Sequence, residues 1–269
     1  MLLKPRLILN HTRSMHVESI PMRWGSGDNY AYLLMDSDSK DAWLIDPAEP
    51  DEVLRYFKSH NLDFHLKAIV NTHHHYDHSS GNKHFHKVYP TLPVIAGKDS
   101  PLVSHTPAHK EVIELGTNLS ITALHTPCHT QDSICYYAED ATTNQRVVFT
   151  GDTLFTSGCG RFFEGVGAEM NKALNTVLAS LPHDTIVFPG HEYTKSNVVF
   201  SSKILKSLAM QKLSQFCQTN EFTTGKFTIG DELEFNPFMR LHDPAVQEAT
   251  GETDGDKVTT KLREMKNQS

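Results

Sequence analysis

Short apolar stretches separated by polar turns dominate the first two thirds of the chain. The stretches Ala31–Met35 and Ala42–Asp46, divided by a polar turn at 36–41, are typical of buried β-strands. Pro50 begins a predicted helix with acidic residues in its first turn, and a helical repeat of apolar residues predicts another over Glu169–Leu181. Many short strands with a few intervening helices favour an α/β fold with layered sheets. Further strands are predicted at Lys67–Asn71, Leu92–Ala96, Leu119–Leu124, Ile134–Ala138, Val147–Thr150 and Thr185–Pro189.

The pattern of the chain changes near residue 195. A turn at 223–225 and an irregular stretch at Asn236–Met239 interrupt a region that is otherwise helical, and a final helix is predicted near Val258–Lys266. We therefore expect an α/β domain over residues 15–194 and a helical domain over residues 195–269. The first helix of that second domain is predicted from apolar residues at the spacing of one long amphipathic helix, namely Val198, Val199, Ile204, Leu205, Leu208 and Leu213.

The first 14 residues differ from the rest in charge. Lys4, Arg6 and Arg13 all precede the first acidic residue, Glu18. A basic segment without acidic residues resembles a mitochondrial presequence, and a disordered terminus is the alternative interpretation. Residues 1–14 are therefore either a leader or a disordered terminus, and the protein is expected in the cytoplasm or the mitochondrial matrix.

Composition excludes several classes of protein. The 269 residues are 38% hydrophobic and 21% charged, a mixture typical of globular chains rather than disordered ones. The net charge of −7 and the absence of a polybasic block argue against a nucleic-acid partner. The longest apolar runs are far shorter than the roughly 20 residues that span a bilayer, so no membrane partner is expected. Four cysteines without a CxxC pair indicate reduced thiols. As a separate expectation, the protein is a monomer.

Histidine is the residue type that departs from ordinary use. There are 17, and four of them lie in the sequence Thr72-His73-His74-His75-Tyr76-Asp77-His78. This motif follows a predicted strand, so it is expected at the edge of a sheet where α/β active sites gather. His73 and His75 are two residues apart and can project to the same side, while His74 is expected to point away.

Three more loop segments carry potential ligands at the ends of predicted strands. They contain His129, Asp152 and His191, each among small or turn-forming residues. Together with the candidates in the histidine motif, these residues make seven potential ligands. One tetrahedral zinc takes four ligands, so seven suit two divalent ions that share a carboxylate. We assign His73, His75 and His129 to the first ion, Asp77, His78 and His191 to the second, and Asp152 to both. Zinc is the favoured metal, with iron and manganese as alternatives; a closed structural zinc site is the competing interpretation.

The chemistry expected from two such ions is hydrolysis. An oxygen held between two cations loses its proton readily, and even one zinc lowers the pKa of bound water to about 7. A solvent hydroxide between the ions is then the nucleophile. No serine or cysteine nucleophile, and no separate catalytic acid or base, is assigned.

With these motifs, the chain resembles the metallo-β-lactamase superfamily and, within it, the hydroxyacylglutathione hydrolases, also called glyoxalase II. The resemblance implies an αββα sandwich with a dinuclear site, followed by an α-helical domain that helps to bind glutathione. It also implies hydrolysis of S-D-lactoylglutathione to D-lactate and glutathione, the second step of methylglyoxal removal. Beyond the metal ligands, the narrower match lies in residues 158–165, 189–193, 236–240 and 251–254.

The resemblance also implies which residues bind the glutathione thioester. The matching positions are Arg161, Tyr193, Arg263 and Lys266, and Phe163 replaces a tyrosine whose hydroxyl contacts the ligand in some relatives. Arg263 and Lys266 are three residues apart on a predicted helix and share one face, where they would hold a carboxylate. Without the resemblance, a solvated helix surface is the simpler interpretation of that pair.

One further departure from the pattern and four rival functions remain. Cys128 stands where a glycine commonly precedes the third histidine, which adds a thiol near the expected metals. A glutathione-persulfide dioxygenase of the same fold would use one iron, whereas this chain has a complete second ligand set. A β-lactam hydrolase or a nuclease would not need the helical tail. A non-catalytic metal-binding protein is the alternative from a different class.

Overall fold

Two five-stranded sheets stacked face to face form the centre of the protein. The structure, a computed structural model, describes residues 14–269, so the segment predicted as a leader or a disordered terminus lies outside the described residues except for Ser14. The first sheet has the order β1-β2-β3-β4-β5, with β3, β4 and β5 parallel to one another. Its strands are β1 (Met15–Met22), β2 (Asn29–Asp36), β3 (Asp41–Ile45), β4 (His65–Val70) and β5 (Val94–Ile95).

The second sheet has the order β12-β9-β8-β7-β6, and only β9 and β12 are parallel. A separate two-stranded ribbon of β10 and β11 follows β9. The strands are β6 (Val112–Leu115), β7 (Leu119–His125), β8 (Ile134–Asp140), β9 (Arg146–Gly151), β10 (Leu154–Phe155), β11 (Gly158–Cys159) and β12 (Ile186–Pro189).

Nine α-helices in the described residues surround these sheets. Those before residue 192 are α1 (Pro50–His60), α2 (Tyr76–Ser79), α3 (Asn82–Val88) and α4 (Gly167–Asn171). Those after it are α5 (Thr194–Ile204), α6 (Leu208–Thr219), α7 (Ile229–Phe235), α8 (Pro244–Thr250) and α9 (Gly255–Asn267). Within residues 14–269, no helix is both long and apolar enough to cross a membrane.

Strand β2 shows why the sheets are covered on both faces. Tyr32 and Leu34 point into the apolar layer between the sheets, while Ala31 and Leu33 point to the opposite face. Successive residues of a strand alternate between faces, so a strand that is apolar throughout must be buried on both sides. Helices α1 and α3 cover the outer face of the first sheet.

The outer face of the second sheet is covered by α4 and by the C-terminal helices. Leu124 and Val148 of this sheet share one apolar cluster with Leu174, Leu213 and Leu262. The predicted α/β fold with helices outside two stacked sheets is therefore confirmed. The division into domains at 15–194 and 195–269 stays a prediction, since this cluster contains residues from both sides of the boundary.

Some predicted elements were wrong in extent. The single amphipathic helix is two helices, because Leu205 adopts an extended conformation and the Ser207 side chain caps α6 by accepting from the Met210 amide. The predicted helix Glu169–Leu181 begins at Gly167 and continues after α4 as π-helical and 3-10 turns to Ser180. Strands β1, β6, β10 and β11 and helices α2, α3, α7 and α8 were not predicted.

Candidate metal centre and substrate pocket

The predicted ligands come together because four strands end at the same edge of the sandwich. His73 follows β4 by three residues, and Asp152 directly follows β9. His129 lies four residues beyond β7, and His191 two residues beyond β12. The short helix α2 carries Asp77 and His78 back over this edge. All seven residues predicted from sequence therefore lie in one site.

The first predicted set is tightly grouped. Nδ1 of His75 lies 3.2 Å from Nε2 of His73 and 3.0 Å from Nε2 of His129. The three ring nitrogens face one another, and one shared proton cannot form hydrogen bonds with all three of them. Such mutually facing nitrogens are the arrangement in which one cation is shared by three imidazoles.

The second predicted set lies beside the first. Nε2 of His78 is 3.2 Å from Nε2 of His191, and Oδ2 of Asp77 is 3.5 Å from the same His191 nitrogen. Asp152 lies between the two sets. Its Oδ2 is 3.4 Å from Nε2 of His129, whereas its Oδ1 is 3.3 Å from His78 and 3.4 Å from His191. Each carboxylate oxygen thus faces a different set, as a bridging ligand must.

Hydrogen bonds on the outer side of the rings fix the direction of the histidines. Nδ1 of His129 lies 2.9 Å from the Arg161 carbonyl, and Nδ1 of His191 lies 2.7 Å from the Gly27 carbonyl. A carbonyl only accepts, so these Nδ1 atoms carry the proton and the Nε2 lone pairs face the site.

Asp46 is a functional residue that the sequence analysis missed. Its Oδ2 lies 2.9 Å from Nδ1 of His78, and its oxygens also accept from the backbone amide and hydroxyl of Thr72. The prediction had treated Asp46 as the last residue of a strand. Asp46 directly follows β3, at the sheet edge where the ligands lie, but that placement is known only once the sheet order is known.

Charge in the centre is unevenly distributed. Burial, reinforced by the neighbouring His78, holds the pKa of His73 well below its ordinary value. Burial alone would raise the pKa of Asp152, but the surrounding His191, His78 and His129 side chains hold it well below its ordinary value. A neutral imidazole and an ionised carboxylate are the protonation states in which these groups bind metals.

Backbone without side chains makes room for the bridging carboxylate. A Cβ on Gly190 would lie 2.5 Å from Oδ1 of Asp152 and 2.8 Å from Cε1 of His78. On the other side, a Cβ on Gly160 would lie 1.9 Å from the Asp152 carbonyl oxygen. Any side chain at either position would displace Asp152 or its neighbours. These glycines are therefore required by close approach of the backbone.

His74 does not face the site, as predicted. Its Nδ1 lies 2.8 Å from Oδ1 of Asp132, and its Nε2 lies 3.5 Å from Oε1 of Glu164. The Asp132 side chain is buried and also accepts from the Thr130 hydroxyl. His74 therefore links the ligand loop to the loops that carry His129 and Phe163.

A cavity of about 900 Å³ opens from the metal centre toward α9. Its lining includes five of the seven predicted ligands together with Arg161, Arg263 and Lys266. Arg263 is only 8% exposed and donates from Nη1 to the Cys159 carbonyl over 2.8 Å. Lys266 donates to the Ser196 carbonyl over 2.9 Å. The three cations therefore converge on the cavity from the β11 loop and from α9, rather than lying on a solvated helix surface.

Two aromatic side chains of the cavity pack against predicted ligands. Phe163 is 62% exposed, and its ring centroid lies 5.2 Å from that of His129. The Tyr193 ring stacks on His191 at 4.5 Å with an interplanar angle of 12°. Both line the cavity, so the structure brings all five predicted substrate-binding residues to one pocket.

The Cys128 thiol does not face the metal centre, contrary to the prediction that it adds a thiol near the metals. Its Sγ donates to the Val166 carbonyl over 3.3 Å, within the apolar cluster of the second sheet. Burial raises its pKa to about 12. All four cysteines are buried free thiols.

The donor set fits two divalent ions. Three groups of ligand atoms, each within 4.8 Å of one another, are formed by His73, His75 and His129, by His73, His78 and Asp152, and by Asp77, His78 and His191. Oδ1 of Asp152 is buried and makes no hydrogen bond. A buried, ionised oxygen without a donor requires a positive charge, and the second set lies next to it. Histidine and carboxylate donors suit zinc, iron or manganese.

Comparison with known proteins agrees with this site. Residues 24–191 match the family model of the metallo-beta-lactamase superfamily, and residues 192–269 match that of the hydroxyacylglutathione hydrolase C-terminus. A metallo-beta-lactamase from Staphylococcus aureus superposes with a TM-score of 0.65 at 21% identity, covering 93% of this chain and 67% of that one. That likeness concerns the fold.

Two curated relatives are much more similar in sequence. A probable hydroxyacylglutathione hydrolase, glo2, of Schizosaccharomyces pombe is 52% identical over 94% of this chain and 99% of the relative. The cytoplasmic hydroxyacylglutathione hydrolase isozyme of Saccharomyces cerevisiae is also 52% identical, with the same coverage of both chains. The chain therefore belongs to the hydroxyacylglutathione hydrolase family of the metallo-β-lactamase superfamily.

Proposed function

We propose that this protein hydrolyses 2-hydroxyacyl thioesters of glutathione, and that S-D-lactoylglutathione is converted to D-lactate and glutathione. The observation that carries the proposal is a single cavity lined both by ligands of the predicted dimetal centre and by three cationic side chains. A glutathione thioester has the matching pattern, with a reactive carbonyl at one end and carboxylates on the peptide. The family to which the chain belongs supports the same substrate.

The cations would bind and orient the peptide part of the substrate. Arg263 is mostly buried and held by the Cys159 carbonyl, so its guanidinium is fixed before the substrate arrives. A carboxylate bound by a preordered guanidinium loses less entropy than one bound by a mobile side chain. Phe163 and Tyr193 would flank the thioester and keep water from its apolar part.

The seven ligand side chains would place the reactive carbonyl. Two divalent ions bound by them would polarise that carbonyl and activate solvent as the nucleophile at neutral pH. Asp152, ionised between the two sets, offsets positive charge there. The leaving thiolate is weakly basic, with a thiol pKa of about 8.5 in solution, so no side chain need protonate it. For that reason we assign no general acid.

Several finer properties are part of the proposal. Zinc is the favoured metal, with iron and manganese as alternatives, since all three accept histidine and carboxylate ligands. The protein would act as a monomer on a small-molecule substrate, without a nucleic-acid or membrane partner. It would work in the cytoplasm or in the mitochondrial matrix, since the two similar proteins from Saccharomyces cerevisiae are a cytoplasmic and a mitochondrial isozyme.

Thioester hydrolysis and metal content, measured on the same purified sample, test the proposal. We expect loss of ultraviolet absorbance of S-D-lactoylglutathione, two divalent ions per chain, loss of activity after chelation and recovery on adding zinc. Glutathione persulfide with an oxygen electrode is the matched rival assay. Oxygen uptake with one iron per chain and no thioester cleavage would replace the proposal with the dioxygenase alternative.

A further inference from the structure

A buried asparagine lies directly beside the second ligand set. Asn29 is the first residue of β2 and is fully buried. Its Nδ2 atom lies 3.1 Å from Oδ2 of Asp77, 3.1 Å from the Asp77 carbonyl oxygen and 3.4 Å from Nε2 of His191. Three acceptors surround one amide nitrogen, which fixes the orientation of the amide group. The reverse orientation would place Oδ1 against a carboxylate.

Asp77 has little else to hold it. Its side chain is 30% exposed, and within residues 14–269 its carboxylate accepts a hydrogen bond only from Asn29. The other two members of the set are oriented from outside, His78 by Asp46 and His191 by the Gly27 carbonyl. Asn29 therefore orients Asp77 in the same way that Asp46 orients His78 and the Gly27 carbonyl orients His191.

The backbone around Asn29 is fixed to the loop that carries His191. Asn29 and His191 form an isolated antiparallel β-bridge, and the Tyr30 amide donates to the Gly190 carbonyl over 3.0 Å. The Glu192 amide donates to the Asp28 carbonyl over 2.9 Å. The Asn29 side chain therefore donates to Asp77 from a backbone segment that is hydrogen-bonded to the loop carrying His191.

We infer that Asn29 is a positioning residue that holds Asp77 in place to bind the second ion. This inference rests on the proposed dimetal centre. A partly exposed carboxylate that loses its one hydrogen bond can rotate, and an ion bound by a rotating ligand loses affinity because the ligand must be ordered on binding. Loss of the Asn29 amide therefore weakens the second ion selectively and leaves the first set, which Asn29 does not contact, unchanged.

Stepwise zinc affinity measures this effect. The metal-free wild type, Asn29→Ala, Asp77→Ala and the double variant are titrated with zinc against a chromophoric chelator. We expect Asn29→Ala to weaken the second zinc by about 10- to 100-fold, the usual cost of losing an outer hydrogen bond to a metal ligand, with the first zinc unaffected. In the Asp77→Ala background, Asn29→Ala should change the second affinity little further, since its effect passes through Asp77.

Asn82→Ala is the matched control for loss of a buried asparagine. Asn82 is fully buried and donates to Asn71 and to the Pro101 carbonyl, and it contacts no predicted ligand. We expect it to lower the melting temperature without changing either zinc affinity. Equal weakening of both ions in Asn29→Ala, or fully additive effects in the double variant, would overturn the positioning role.

The zinc titration also separates this inference from the proposed function. A wild type that binds two ions but leaves the thioester intact would refute the function, and the test of Asn29 would still be readable. A second zinc affinity unchanged by Asn29→Ala in an active enzyme would refute the inference alone. A wild type that binds only one ion would overturn both.

Discussion

Oδ2 of Asp46 lies 2.9 Å from Nδ1 of His78, and both side chains are buried. Asp46 adopts a left-handed backbone conformation with φ 51°, which is uncommon for a residue other than glycine. Its other contacts explain why that conformation persists, because its two oxygens accept from the amide and the hydroxyl of Thr72 at the end of the neighbouring strand. Asp46 therefore joins the ends of β3 and β4 and orients a predicted ligand at the same time.

This relationship predicts the effect of Asp46→Asn. The amide keeps the size of the carboxylate but presents a donor toward Nδ1 of His78, which favours the tautomer with the proton on Nε2. That proton occupies the lone pair that would bind the second ion, so we expect about 10- to 100-fold weaker binding of that ion. Zinc titration with a chelator measures it. Unchanged second-ion affinity would mean that Asp46 does not set the tautomer.

Asp152→Ala tests the shared carboxylate. Its two oxygens face different ligand sets, so we expect both ions to bind more weakly and turnover to fall to background. Metal content by elemental analysis and thioester kinetics should be measured together. Wild-type kinetics with two ions still bound would show that Asp152 is not the bridge.

The ligands were accessible to sequence analysis because four of the seven lie within four residues of the end of a buried strand. A strand of four to six apolar residues is recognisable, and parallel strands bring their ends together. Asp46 and Asn29 were missed because a hydrogen bond to a ligand leaves no spacing signal. What selects them is the neighbouring strand or loop, which is known only once the sheet order is known.

The missed strand β1 and the missed break between α5 and α6 have different physical causes. Strand β1 contains His16, Glu18 and Pro21, which an edge strand tolerates because one side faces solvent. The break between α5 and α6 depends on a single cap at Ser207 inside a continuous apolar repeat. Helical periodicity continues through such a break, so the pattern alone predicts one helix.

Arg263→Ala tests recognition of the peptide part of the substrate. Arg263 lines the cavity from α9, which carries none of the predicted metal ligands. We therefore expect its loss to raise KM more than it lowers kcat. The loss also leaves the Cys159 carbonyl without its donor, and melting temperature should be recorded for that reason. Lys261→Ala is the control, since Lys261 lies on the same helix, is half exposed and pairs with Glu264. A KM equal to that of the control variant would exclude the contact.

Phe163→Tyr tests the departure from the family pattern that the resemblance implies at this position. Phe163 is exposed at the cavity, and its ring packs against the rings of His75 and His129 in T-shaped arrangements. A hydroxyl on the ring would add a donor for the substrate, worth about 0.5 to 1.5 kcal/mol. We expect KM to fall about 2- to 10-fold with kcat nearly unchanged. A KM that stays constant or rises would show that the hydroxyl finds no acceptor on the substrate.

Glu232 predicts a pH dependence of stability. It lies fully buried on α7, where Oε2 accepts from the Ser157 amide and from Asn236, each over 2.9 Å, and Oε1 has no partner. Burial raises its pKa from 4.5 to about 8. Between these two values the unfolded chain loses the proton while the folded chain keeps it. Each pH unit in this window therefore lowers the free energy of unfolding by about 1.4 kcal/mol.

Glu232→Gln removes that titration while keeping an oxygen for the Ser157 amide. Below the unfolded pKa, variant and wild type should differ by a constant amount. As pH rises toward 8, the wild type should lose stability relative to the variant, and above that value the difference should level off. Urea unfolding of both proteins at a series of pH values measures it, and other titrating groups cancel in the difference. Parallel stability curves across the window would mean that Glu232 ionises equally in the folded and unfolded chains.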